Sequence, residues 1–198
     1  NTNVTPGTVK PEKRYLQSVL FGLLNGVGRQ DDPARHLSLE EEGWANALSL
    51  PRVVTLQGGL VFQTPPAGLP DAISRSDRAR SWTGLCEIPT GSSLTATLID
   101  AAGNTAATVT HAGDTLRVDR SMNPHHAGDP VASAALAQGD TDSLSIFVDG
   151  STLEVFADGG AVTMASRVYV EGGCREIRVE LDGDAVIEQY WSRGPGSV

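Results

Sequence analysis

At 198 residues the chain can bury one substantial core, or a single domain with a short appendage. Its formal net charge of −9 and pI of about 4.8 give no source for the phosphate neutralisation on which nucleic-acid binding rests, so DNA and RNA are excluded as partners. There is no signal-like segment and no apolar run of roughly 18 residues; the longest greasy stretch, Val19 to Leu24, is too short to cross a bilayer, and a cytoplasmic location is expected over a secreted one.

The 22 glycines and 11 prolines fit many short elements joined by turns, which favours β over α. Residues 1–12 are polar and carry no apolar period. From Lys13 to Gly26 two readings stand open: Leu16, Val19, Leu20, Leu23 and Leu24 line one face of a helix, while Ser18 to Leu24 also suits a buried strand. Gly28 to Glu42 reads as a polar, acidic loop, and the run opened by Trp44 as a strand closed by Leu50-Pro51. Val53 to Leu56 and Leu60 to Phe62, on either side of Gly58-Gly59, predict a hairpin, since paired glycines supply the positive φ of a short turn. The Pro-Pro segment Thr64 to Pro70 reads as a linker, which puts a domain boundary near Gly68 and divides the chain into 1–68 and 69–198.

Beyond that boundary, nine strands are predicted: Ser81 to Ile88, Ser93 to Ile99, Ala106 to His111, Thr115 to Asp119, Ser143 to Val148, Thr152 to Ala157, Val162 to Val168, Glu176 to Leu181 and Val186 to Trp191. Short strands at this spacing predict an antiparallel two-sheet β-sandwich. The clearest hairpin runs from Ser145 to Phe156 around Asp149-Gly150, with Ile146, Val148, Leu153 and Val155 turned inward.

Two blocks carry a resemblance to a known family. Gly43-Trp44-Ala45-Asn46-Ala47-Leu48-Ser49-Leu50-Pro51-Arg52 resembles the segment that closes the catalytic domain of glycoside hydrolase family 32, the invertases, levanases and inulinases. Phe147, Asp149, Ser151, Glu154 and Phe156, followed by Ser166-Arg167-Val168-Tyr169, resemble that family's C-terminal Phe-x-Asp-x-Ser-x-x-Glu-x-Phe hairpin and Ser-Arg-x-Tyr strand. Between the blocks, Asp119-Arg120-Ser121 is similar to the family's Asp-Arg-Ser turn.

The resemblance implies a five-bladed β-propeller that bears the active site, followed by a concanavalin-like sandwich. On that footing the chain is all-β, a sandwich preceded by a few strands of an incomplete blade, with most of the propeller outside these residues. The family's catalytic motifs, Asn-Asp-Pro-Asn, Glu-Cys and Arg-Asp-Pro, do not occur here; Cys86-Glu87 is the second reversed, and Asp31-Asp32-Pro33 lacks the arginine of the third. A retaining glycosidase needs two carboxyl groups about 5–5.5 Å apart, so no catalytic residue is assigned and the chain alone is predicted inactive. Many family members read Gly-Trp-x-x-x-Trp where this chain has Gly22-Leu23-Leu24-Asn25-Gly26-Val27, which leaves sucrose against fructan undecided.

The implied role is a structural module whose partner is the catalytic propeller, with association into a homo-oligomer also open and sugar met only through the parent enzyme. The competing reading is a stand-alone, lectin-like carbohydrate-binding module, for which Trp82 and Trp191 are the candidate stacking residues. No cofactor or metal is expected. His125-His126 with Asp119 and Asp129 lack helical ligand spacing and read as a solvated Asn-Pro-His-His turn; Glu154 reads as an outward strand residue; Cys86 and Cys174 read as free thiols.

Overall fold

In a computed structural model, residues 18–24, 37–126, 130–136 and 141–197 are described. Ten strands form two five-stranded antiparallel sheets packed face to face. The first sheet has the order β10(Val131–Ala135), β9(Thr115–Asp119), β8(Thr105–Ala112), β7(Ser93–Asp100), β14(Cys174–Asp182). The second runs β13(Val162–Arg167), β12(Thr152–Ala157), β11(Thr141–Asp149), β6(Arg80–Glu87), β15(Val186–Arg193). The predicted sandwich is thus the observed fold, with β10 added. Val131-Ala132-Ser133-Ala134-Ala135 alternates as a strand should, but its inward residues are alanines, too small to mark a buried face in the sequence.

The core follows from the two-residue period. Leu94, Leu98, Val109, Leu116, Leu144, Ile146, Leu153 and Val155 face one another between the sheets and are fully enclosed. Trp82 joins them, 4% exposed, its ring lying over Gly84 so closely that a Cβ there would overlap it. Cys86 and Cys174 are buried thiols, not joined in a disulfide.

The N-terminal part forms a separate three-stranded sheet, β1(Ser18–Leu20), β4(Arg52–Gln57), β5(Leu60–Thr64), and a small pair, β2(Leu23–Leu24) with β3(Ala47–Leu48). Of the two readings of this stretch, the strand is the one seen among the described residues, but as two short pieces broken at Phe21-Gly22 and exposed except at Leu24, not as one buried strand. Gly58 and Gly59 both take positive φ in the predicted hairpin turn between β4 and β5.

Two short helices correct the loop assignments. α1(Leu37–Glu42) occupies the end of the predicted acidic loop; its acidic residues left no apolar stripe to read, and Gly43, at φ 78, caps it by donating to the Leu39 carbonyl at 3.2 Å. Only Ala47–Leu48 of the run after Trp44 is strand. α2(Leu69–Arg75) starts within the predicted linker. Pro70 sits in its first turn, where no amide donor is missed, and Leu69 and Ile73, four residues apart, bury one face. No helix among the described residues is long and apolar enough to cross a membrane.

Candidate docking interface on the outer face of the second sheet

Strand alternation that turns Ile146, Val148, Leu153 and Val155 into the core turns Phe147, Glu154 and Phe156 to the opposite side of the same sheet. An outer face should be wet, yet Phe147 is 5% exposed, Phe156 3% and Glu154 1%. The cover comes from α2 and from the segment that leads into β4. Phe147 and Phe156 meet edge to face at 5.8 Å and pack with Leu69, Ile73, Ala79 and the half-buried Leu50.

Beside this apolar patch, Glu154 receives two donors from the segment before β4 and from β4 itself. Its Oε1 accepts the Leu50 amide, and its Oε2 pairs with Arg52 Nη2 at 2.9 Å. The other arm of Arg52 donates to Gln63 Oε1 at 3.1 Å and Thr163 Oγ1 at 3.0 Å, while its guanidinium carbon lies 5.4 Å from the Phe156 ring centroid. Glu154 is outward on its strand, as expected, but it is buried there and acts as an anchor. Removing a carboxylate from water is tolerable only with such a full set of partners. At the far end of β5 the sandwich turn comes close enough that a Cβ on Gly160, already at φ 99, would overlap the Gln63 carbonyl.

A second anchor lies one strand over. Arg167 at the end of β13 is 2% exposed and has its guanidinium carbon 4.5 Å from the centroid of Trp44 and 5.2 Å from that of Tyr169. Its Nη2 donates to Ser38 Oγ and to Tyr169 Oη, both at 3.2 Å, which ties α1 to the sandwich. The Gly43 cap aims Trp44 at this site.

The end of β13 and the residues just after it, Arg167 to Tyr169, are braced by the 120–126 turn. Arg120 Nη1 donates to the Arg167 carbonyl at 2.9 Å, and Asn123 Nδ2 to the Tyr169 carbonyl at 2.8 Å. His126 Nε2 accepts the Tyr169 amide at 2.9 Å, with the two rings stacked 5.5 Å apart. Burial, aided by the charges of Arg120, His125 and Arg167, pushes the His126 pKa down to about 3, so the ring is neutral and its nitrogen can accept. Asp119 is held below the usual carboxylate range, first by the Ser121 amide at 2.8 Å, with Arg117 2.7 Å away. The Asn-Pro-His-His turn is therefore only half solvated: His125 faces water, and His126 is enclosed because the turn caps the strand. Asp129 lies outside the described residues, among which no group of three acidic, cysteine or histidine side chains could hold a metal.

The two tryptophans singled out as sugar-stacking candidates do not share a surface. Trp82 points into the core, whereas Trp191 pairs across from Thr83, on the opposite face of the sheet, and is 49% exposed. Sequence reading assigned no role to Arg52, Asn123, His126, Arg167 or Tyr169. The available signal was Phe147 and Phe156 at outward positions: two phenylalanines there require a cover.

All three blocks singled out in the sequence meet at this interface: Trp44 to Arg52 from the N-terminal segment, Asp119 to Ser121 from below, and the hairpin with its Ser-Arg-x-Tyr strand. Residues 88–191 match the model of the glycosyl hydrolases family 32 C-terminal domain, and the chain belongs to that family. It is 26% identical over 192 residues to a probable sucrose-6-phosphate hydrolase of Psychromonas ingrahamii, covering 91% of this chain and 33% of that protein. A sucrose-6-phosphate hydrolase of Escherichia coli is 35% identical over 74 residues, 36% of this chain and 16% of that one. Among solved structures, the fold is similar to that of a family 32 β-fructofuranosidase of Bombyx mori, with TM-score 0.60 and 21% identity over 86% of this chain and 38% of that one. It is also similar to fructan 1-exohydrolase IIa of Cichorium intybus, with TM-score 0.64 and 14% identity over 90% of this chain and 45% of that one. The chain thus spans about a third of the Psychromonas relative's length.

Proposed function

We propose that this chain is the supporting part of a β-fructofuranosidase-type hydrolase: residues 69–198 form a sandwich that clamps the last strands of a catalytic propeller, carried in residues 1–68, and catalyse nothing themselves. The observation that carries this reading is the buried Arg52–Glu154 pair, which spends the most costly carboxylate of the sandwich on holding a strand of the N-terminal sheet. A sugar-binding site would leave such a group open to the ligand.

The exposed apolar residues of the N-terminal strands support the same reading. Val19, Leu20, Phe21, Leu23, Leu48, Leu56, Leu60 and Val61 are 43–72% exposed, an apolar surface of the kind that marks a missing neighbour. The neighbour that fits is the preceding propeller blades. The parent reaction would be retaining hydrolysis of a terminal β-fructoside, and the names of the sequence relatives favour sucrose 6-phosphate as its substrate.

The test is release of fructose from sucrose 6-phosphate, sucrose and a fructan by this chain alone and after mixing with the propeller portion. No release by the chain alone, with release on mixing, is the expected result; release by the chain alone would overturn the supporting role.

A further inference from the structure

A pocket of about 260 Å³ opens where the start of β6, the turn after β7 and the loop before β14 meet. Its walls are Arg78 and Arg80 with Asp77, Arg175 with Gly172 and Gly173, and the turn at Ala101. In a chain of net charge −9, three arginines around one cavity are a local reversal of sign.

The arginines are not equivalent. Arg78 is committed to Asp149 at 2.9 Å on the surface. Arg80 spends only its Nε, on the Cys174 carbonyl, and is wedged against Gly194, where a Cβ would overlap its Nη1. The Nε bond and this contact restrain the guanidinium, and neither terminal nitrogen bonds another described residue. Arg175 lies over the turn at Gly103 and forms no ion pair with any other described residue. Two guanidinium groups on one cavity, one of them held rigid, provide the fork geometry that recognises tetrahedral oxyanions. The Asp77 carboxylate on the same wall would repel a bare anion but accept a hydroxyl group, and the volume exceeds what one oxyanion needs.

We propose that this pocket binds a phosphate-class oxyanion, free or as a sugar monoester, between Arg80 and Arg175. The experiment is a titration of the full chain, followed by amide chemical shifts, with inorganic phosphate, glucose 6-phosphate and glucose at constant ionic strength. Saturable shifts at Ala101 and Gly172 to Arg175 with both phosphates, and none with glucose, are expected. Tighter binding of glucose 6-phosphate identifies the monoester as the ligand, and equal binding identifies the phosphate group alone. R175Q, an exposed change that leaves the Arg80 contact intact, should weaken binding ~10-fold, the loss of one charge-assisted contact. R178Q, which removes an arginine paired with Glu176 outside the pocket, should leave binding unchanged. Absence of a saturable shift, wild-type affinity in R175Q, or equal weakening in R178Q would each overturn the site.

Discussion

The two sheets of the sandwich share a core but present opposite outer faces. On the first, Thr95, Thr97, Thr108, Thr110, Arg117 and Arg178 stand in rows across β7, β8, β9 and β14, as expected of a face in contact with water. On the second, the equivalent positions hold Phe147, Glu154 and Phe156, all closed off beneath β4 and α2. Both sheets alternate, so the difference lies in which residues occupy the outward half of the period. An outward face becomes a binding face when it exchanges threonine for phenylalanine and adds a carboxylate that can be met by a specific arginine.

This contrast should break first at the buried ion pair. Glu154→Ala leaves Arg52 enclosed without its charge partner and should cost about 3–5 kcal/mol in urea unfolding, whereas joint replacement of both residues by apolar side chains should cost less than either single change. Phe156→Ala should cost about 3 kcal/mol through the cavity it leaves. The matching outward change on the first sheet, Thr110→Ala, should stay within about 0.5 kcal/mol. Equal effects of these two substitutions would abolish the distinction between the faces.

Gly160→Ala sharpens the comparison at the edge of the contact. It combines a left-handed backbone with overlap on the Gln63 carbonyl and should cost about 1–3 kcal/mol, falling on the docking of β5. The pH dependence is spread over a wide range. His126 has its folded pKa near 3 against an ordinary value of 6.5, so the unfolded chain binds the extra proton first. Its contribution is complete above pH 6.5 and declines as the pH falls towards 3, in the same direction as that of Asp119. His126→Gln, which can still accept the Tyr169 amide, should flatten the pH 6.5 to 4 part of a stability profile measured by thermal unfolding. Among changes at the contact, Arg167→Lys should cost least, about 1 kcal/mol, because a lysine keeps the charge but loses the planar contact with Trp44.

Much of this was legible in the sequence, for physical reasons that also explain what was missed. The sandwich strands announce themselves by alternation: Thr115–Asp119 and Thr152–Ala157 were read to the residue, and the four inward residues of the central hairpin are all in the core. β10 escaped because alanine does not register as a buried face, and α2 because a proline pair reads as a linker until Pro70 is seen as a first-turn residue. The docking site escaped for another reason. Its charged members, Arg52 and Glu154, lie 102 positions apart, and neither has an apolar pattern of its own; periodicity places each on a face but cannot say that one face covers the other. Family resemblance marked the blocks containing these residues, while their roles needed the three-dimensional pairing.

The most direct test of the clamp is hydrogen exchange of the backbone amides, resolved by residue, in the chain and in Glu154→Ala. The clamp predicts that protection falls most in Arg52–Gln57 and Leu60–Thr64, beyond any loss shared by β6 to β15. Unchanged protection of β4 and β5, or a loss spread evenly through the sandwich, would contradict it.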